Sequence, residues 1–197
     1  MKLLVASRNT KKLAELNRIL AAEGVSGLTV VGLSDVPPFP EAPETGATFE
    51  ENAVAKARDA VAATGLPVIA DDSGLTVDAL NGMPGVLSAR WAGGRDDQAN
   101  LDLVLAQLRD VPDERRGAAF VCAAALVTPS GTETVARGEW RGTIIREPRG
   151  TNGFGYDPIF VPDGYGATSA ELAAEAKDAL SHRGRALHLL VPVLKSL

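Results

Sequence analysis

Several function classes are excluded by what the chain has little of. Only one of its 197 residues is cysteine, Cys122, so neither an intrachain disulfide nor a thiolate zinc cluster is available. It has two histidines, His182 and His188, and neither sits in an acid–base pattern, which argues against a Ser-His-Asp hydrolase. The longest apolar run, Ala118 to Val127, is about half of a membrane span, and no signal-peptide pattern precedes it. Basic residues do not predominate either: 20 Lys and Arg against 25 Asp and Glu give a net charge of −5, which argues against a broad basic face for nucleic acid. The expectation is a soluble, cytoplasmic protein of a reducing compartment, with neither membrane nor nucleic acid as a partner.

The residues present describe a globular α/β chain. Lys2 to Ser7 is a short apolar strand, followed by a helix from Lys11 carrying Leu13, Leu16, Ile19 and Leu20 at helical spacing up to Gly24. Thr29 to Leu33 reads as a second strand, and Pro37, Pro38, Pro40 and Pro43 exclude regular structure after it. Thr48 and Glu51 have capping-box spacing at the head of a helix bearing Phe49, Ala53, Ala57 and Ala60. Pro67 to Ala70 reads as a brief strand ending in a polar turn at Asp71-Asp72-Ser73-Gly74, with 75–95 mostly loop. A third helix carries Leu101, Val104, Leu105 and Leu108. Then come three strands, Ala118 to Val127, Thr132 to Trp140 and Gly142 to Glu147, and a glycine- and aromatic-rich loop from Arg149 to Gly166. Helices beginning at Thr168 and around Leu187 close the chain, the last bent or shortened at Pro192. The order implies a mixed central sheet flanked by helices, forming a single domain over residues 1–197 with two lobes and an active-site cleft between them.

Five constellations carry chemistry. Ser7-Arg8-Asn9-Thr10-Lys11-Lys12 stands where a strand exits into a helix, whose free N–H groups and positive dipole end suit a phosphate. It is no Walker loop, because the glycines and the Gly-Lys-Ser/Thr ending are missing. Asp71 and Asp72 at a strand mouth repel one another unless a cation lies near. Glu44 and Glu51 precede or open a helix on which Asn52 and Lys56 share a face, and carboxylate oxygens with phosphate and water suit Mg²⁺. Gly153-Phe154-Gly155-Tyr156-Asp157-Pro158 lets backbone approach a flat ligand beside a stacking ring. Lys177 and Ser181-His182-Arg183-Gly184 offer contacts to a base or phosphate.

Taken in order, Ser7-x-Asn9-x-x-Lys12, Glu44-Thr45-Gly46-x-Thr48-Phe49-x-Glu51-Asn52-Ala53, Asp71-Asp72-Ser73-Gly74-Leu75, Gly153 to Pro158 and Ser181 to Gly184 resemble the noncanonical purine NTP pyrophosphatases, the Ham1/RdgB family. The resemblance spans about residues 1 to 195. It implies Mg²⁺-dependent hydrolysis of ITP, dITP and XTP to the monophosphate and pyrophosphate, which cleanses the nucleotide pool, and it implies a homodimer. By this resemblance Ser7, Arg8, Asn9, Thr10, Lys11 and Lys12 hold the triphosphate. Asp72 is general base and metal ligand, with Glu44 the second ligand and Glu51 the alternative. Ser73 touches substrate, and Lys12 and Lys56 offset phosphate charge in catalysis. Phe154, Gly155, Tyr156, Asp157, Lys177, His182 and Arg183 surround base and sugar. The family often has glycine where Arg8 stands, so the Arg8 side chain either points away from the phosphates or joins them.

Overall fold

The computed structural model describes all residues except 41, 42, 174–176, 178 and 179, and only the backbone of Lys11 and Glu15. The Lys11 side chain, expected at the phosphates, lies outside the described residues. Six strands form one sheet in the order β2-β1-β3-β4-β5-β6. They are β1 (Lys2–Val5), β2 (Thr29–Gly32), β3 (Val68–Val77), β4 (Gly117–Val127), β5 (Glu133–Ile144) and β6 (Phe160–Pro162). β1 is parallel to β2 and to β3, with Leu3 opposite Val30 and Val5 opposite Ile69, whereas β5 and β6 are antiparallel, with Thr143 opposite Val161. Parallel neighbours need crossovers, and helices α1 (Thr10–Ala22) and α2 (Phe49–Thr64) supply them. Helices α3 (Asp97–Gln107) and α4 (His182–Leu194) complete the described helices.

The chain divides into two compact units, Met1–Asp72 with Cys122–Gly138 and Arg183–Leu197, and Ser73–Val121 with Glu139–His182. In the first, Leu3, Val5, Ile69, Cys122, Ala124 and Leu126 of the sheet pack against Leu16, Ile19 and Leu20 of α1 and Leu187, Leu190, Val191 and Leu194 of α4. The i, i+3, i+4 spacing of these leucines makes each helix amphipathic, and burial of that stripe holds it. Helix α2 buries Ala53, Ala57 and Ala60, small enough for close packing. Thr48 caps it by accepting the Glu51 N–H at 3.1 Å. In the second unit, Leu75, Val77, Phe120, Trp140, Ile144, Ile159 and Phe160 pack with Leu101, Val104 and Leu108 of α3. Buried Arg116 donates to the Ile144 and Leu108 carbonyls, the latter at the helix end, where carbonyls lack intrahelical partners.

The structure corrects the sequence reading at several places. β3 does not end at Ala70 but runs on to Val77, so Asp71 and Asp72 sit within a buried strand rather than in a polar turn. The strands expected at Thr132 to Trp140 and Gly142 to Glu147 are one, β5. Its Gly142 is required because a Cβ there would collide with the Val161 carbonyl oxygen and the Phe160 ring of β6, a strand expected to be loop. The helix expected from Thr168 does not begin there: the Thr168 hydroxyl donates to the Arg149 carbonyl and Glu171 accepts the Thr168 N–H in a turn, while Lys177 and Leu180 further on are helical and 174–176, 178 and 179 lie outside the described residues. Pro192 is carried inside α4.

Candidate active site

Successive residues of a strand face opposite ways, and β3 uses this to give its two acids different partners. Asp71 continues the Ile69 face, where α1 and α4 pack. Its Oδ2 accepts from Lys12 Nζ of α1 at 2.6 Å and lies 3.3 Å from Arg183 Nε of α4. Burial by itself would raise the Asp71 carboxyl, but Lys12 and Arg183 outweigh it and hold it well below the usual carboxylate range.

Asp72 faces α2. Its Oδ2 accepts from Asn52 Nδ2 at 2.9 Å, and its Oδ1 lies 3.7 Å from Lys56 Nζ, which donates to Glu44 Oε1 at 2.8 Å. Burial is the largest influence on Asp72 and lifts its carboxyl above the ordinary value. Lys56 and Asn52 offset part of that rise, and the negative charge of Glu44 adds to it. Burial would lower the Lys56 ammonium, and Asp72 and Glu44 more than reverse that effect. Two carboxylates thus converge on one cationic position, beside a cavity of about 540 Å³ lined by Glu44, Gly46, Asn52, Lys56 and Arg58. On Glu51, the alternative ligand, Oε2 accepts the Ala47 N–H at 2.7 Å.

The segment before α1 is shaped locally. Ser7 Oγ accepts the Asn9 N–H at 3.1 Å, and the Asn9 carbonyl accepts from Lys12 N–H, the first turn of the helix. No acid occupies that turn, which leaves the positive end of the helix without an acidic residue in its first turn. Ser7, Arg8 and Thr10 line a cavity of about 370 Å³ with Leu13, Pro38 and Phe39.

The second unit holds the glycine-aromatic loop, and a buried carboxylate organises it. Asp157 Oδ2 accepts from the Phe154 N–H at 2.9 Å and from Lys177 Nζ at 2.5 Å, and Oδ1 accepts from Ser169 Oγ at 2.7 Å. A Cβ on Gly153 would collide with that carboxylate, and the Gly153 φ of +80° is one that side chains disfavour. The two aromatics separate. Phe154 is 46% exposed with Lys177 Nζ 5.8 Å from its ring centre, whereas Tyr156 is 5% exposed and donates to the Ser88 carbonyl at 2.7 Å. Tyr156 therefore belongs to the core and offers no stacking face. Gly155 N–H is held by Asp97 Oδ2 at 3.0 Å. His182 stacks on Phe120 with ring centres 5.1 Å apart.

Lys12, Arg183, Lys56, Glu44 and Asp72 are thus gathered in the first unit, Phe154 to Asp157 and Lys177 in the second. Ser73 lies on β3 beyond the two acids. Sequence reasoning passed over Asp71 and Asn52 as site residues. Asp71 was legible as half of the acidic pair, and Asn52 from its spacing to Lys56 on one helix face.

A mixed α/β sheet with an acid–lysine cluster on an interior strand defines the class. The family is narrower: the chain belongs to the Ham1 family, whose model matches residues 3–193. It is 72% identical to the dITP/XTP pyrophosphatase of Nocardia farcinica over 197 residues, spanning 100% of this chain and 96% of the relative. The crystal structure of the nucleoside-triphosphatase, dITP/XTP pyrophosphatase, of Mycobacterium abscessus superposes with a TM-score of 0.82 at 66% identity, covering 98% of this chain and 100% of that one. A HAM1 protein from Coxiella burnetii superposes with a TM-score of 0.90 at 43% identity, each chain covered in full (100%).

Proposed function

We propose that the chain hydrolyses ITP, dITP and XTP to the nucleoside monophosphate and pyrophosphate, removing deaminated purines before they enter DNA or RNA. The observation that carries this reading is Asp72: a carboxylate of raised proton affinity, oriented by Asn52, facing Lys56 and Glu44. The 72% identical relative named for dITP and XTP supports the substrate class.

In this mechanism a water attacks the α-phosphorus, its proton passes to an Asp72 carboxylate oxygen, and the α–β anhydride bond breaks to release pyrophosphate. Lys12 Nζ and the positive N-terminal end of α1 receive phosphate oxygens, so Lys12 exchanges Asp71 for the substrate. Ser7, Arg8, Asn9, Thr10 and Ser73 complete the phosphate contacts. Lys56 offsets charge that develops on the phosphates.

Asp72 and Glu44 fit Mg²⁺, since two carboxylate oxygens already converge on the cationic Lys56 and that ion favours one or two carboxylates with phosphate and water. When bound, the ion would neutralise phosphate charge and make the attacking water more acidic. The exposed Phe154 ring and the Gly155 backbone receive the base, with Lys177, His182 and Arg183 toward base and sugar. Asp157 shapes that loop. A donor set matched to a 6-carbonyl leaves a donor unpaired against the 6-amino group of adenine. We place this enzyme in the cytoplasm as a homodimer; among the described residues no helix is long and apolar enough to cross a membrane.

The test is product analysis with dITP, XTP and dATP, each with Mg²⁺ and with chelator. The reading expects pyrophosphate from dITP and XTP only when the metal is present. Orthophosphate as product, or equal turnover of dATP, contradicts it.

A further inference from the structure

We infer that Asn52 is a positioning residue whose side-chain amide ties the Glu44–Gly46 segment to the Asp72 carboxylate and so holds both acids in register around Lys56. The inference rests on the reading that Asp72 receives the proton from water. Asn52 is 2% exposed, and its amide faces a partner at each end. Its Oδ1 accepts the Gly46 N–H at 2.8 Å, and its Nδ2 donates to Asp72 Oδ2 at 2.9 Å. The two ends are not interchangeable: a backbone N–H needs an acceptor and a carboxylate needs a donor, which fixes the orientation of the amide. One amide therefore constrains two acids that reach Lys56 from different elements, Asp72 from β3 and Glu44 from the segment before α2.

Gly46 is fitted to this arrangement. A Cβ there would stand 2.6 Å from Asn52 Oδ1 and 2.8 Å from Glu51 Cβ, so any side chain must displace the amide or the helix turn. Only glycine lets the segment approach closely enough for its N–H to reach Oδ1. Glu51 Oε2 on the Ala47 N–H and Thr48 Oγ1 on the Glu51 N–H fasten the residues that follow, so the segment is anchored at three consecutive positions. Asn52 is the anchor that also touches an acid of β3. Its hydrogen bond to Asp72 occupies Oδ2 and leaves Oδ1 directed toward Lys56. Without the amide, the Asp72 carboxylate can rotate about its terminal torsion, a broad well with no preferred setting of its own.

Three variants test the inference: Asn52→Leu removes both hydrogen bonds, Asn52→Asp keeps an acceptor for Gly46 but cannot donate to Asp72, and Gly46→Ala presses on the amide without touching Asp72. Steady-state pyrophosphate release from dITP, thermal unfolding and the crystal structure of each variant are measured beside wild type. Loss of a residue that orients a reacting group lowers activity on the order of 10- to 100-fold, so kcat should fall by that much in Asn52→Leu and Asn52→Asp while KM stays close to wild type. Gly46→Ala should fall less, and the Asn52→Leu/Gly46→Ala double variant should lose no more than Asn52→Leu alone, because both act through one amide. The crystal structures should show Asp72 rotated away from Lys56. A purely structural role would lower the unfolding temperature and leave kcat per folded molecule unchanged. That result, or a raised KM with unchanged kcat, or additive losses in the double variant, overturns the inference. An active wild type with unaffected variants overturns the role of Asn52 alone, whereas a wild type that releases no pyrophosphate overturns the activity reading as well.

Discussion

Asp71 and Asp72 are neighbours in sequence, of one residue type and on one buried strand, yet their carboxyls are driven in opposite directions. Asp71 meets Lys12 and Arg183 on one face, and two cations more than repay its burial. Asp72 meets a lysine at 3.7 Å and one amide on the other face, shares that lysine with Glu44, and burial prevails. The difference teaches that partners, not residue type or depth, set what a buried acid can do. The paired acid anchors two cations, and the other is the one that takes the proton in the proposed mechanism. Asp157 in the second unit makes the same point from a third position, since it accepts from the Phe154 N–H, Ser169 Oγ and Lys177 Nζ and so fastens its own loop.

Removing the anchor should cost the most stability. Asp71→Asn removes the buried counter-charge that Lys12 and Arg183 share, and urea unfolding at pH 7 should show a loss of about 3 kcal/mol or more. The pH dependence sharpens this. A carboxyl whose folded value is depressed contributes its stability in full above the unfolded value of about 4 and loses it as pH falls through the lower folded value. The penalty of Asp71→Asn should therefore shrink when the same unfolding is repeated near pH 3. A penalty that stays constant with pH would show that Asp71 acts through shape alone.

Lys177→Ala is milder, because Ser169 and the Phe154 N–H still serve Asp157. A loss of about 2 kcal/mol is expected from one charge-assisted hydrogen bond, together with faster amide exchange at Phe154. Tyr156→Phe should be smallest. It removes only the hydroxyl that donates to the Ser88 carbonyl, worth about 1 kcal/mol by thermal unfolding. A larger loss there than for Lys177→Ala would reverse the ranking and make the ring's polar end, rather than the Asp157 latch, the main fastening of the loop.

Much of this was legible in the sequence. The stripe Leu13, Leu16, Ile19, Leu20 predicted α1, and Thr48 with Glu51 predicted the start of α2, because both signals are local. The residues that misled are those whose setting is tertiary. Asp71-Asp72-Ser73-Gly74 has the composition of a turn, and its place between β1 and β4 in the sheet makes it a strand. Gly74 serves there as a contact point, since a Cβ would collide with Ser88 Oγ. The division expected between Trp140 and Gly142 has a similar origin, since Gly142 lies within β5 and marks the close approach of β6. Phe154 and Tyr156 looked equivalent in a glycine-rich loop. The Asp157 latch and the Ser88 carbonyl separate them, and neither partner is adjacent in sequence to the ring it fixes.

The contrast between the two acids is tested most directly by Asp72→Asn, assayed with dITP and Mg²⁺ for pyrophosphate release and, separately, for nucleotide binding by titration calorimetry. Loss of a general base should cut turnover on the order of 10²- to 10⁴-fold while binding stays measurable. Retained turnover, or turnover and affinity falling together in equal measure, would contradict the assignment of proton acceptance to Asp72.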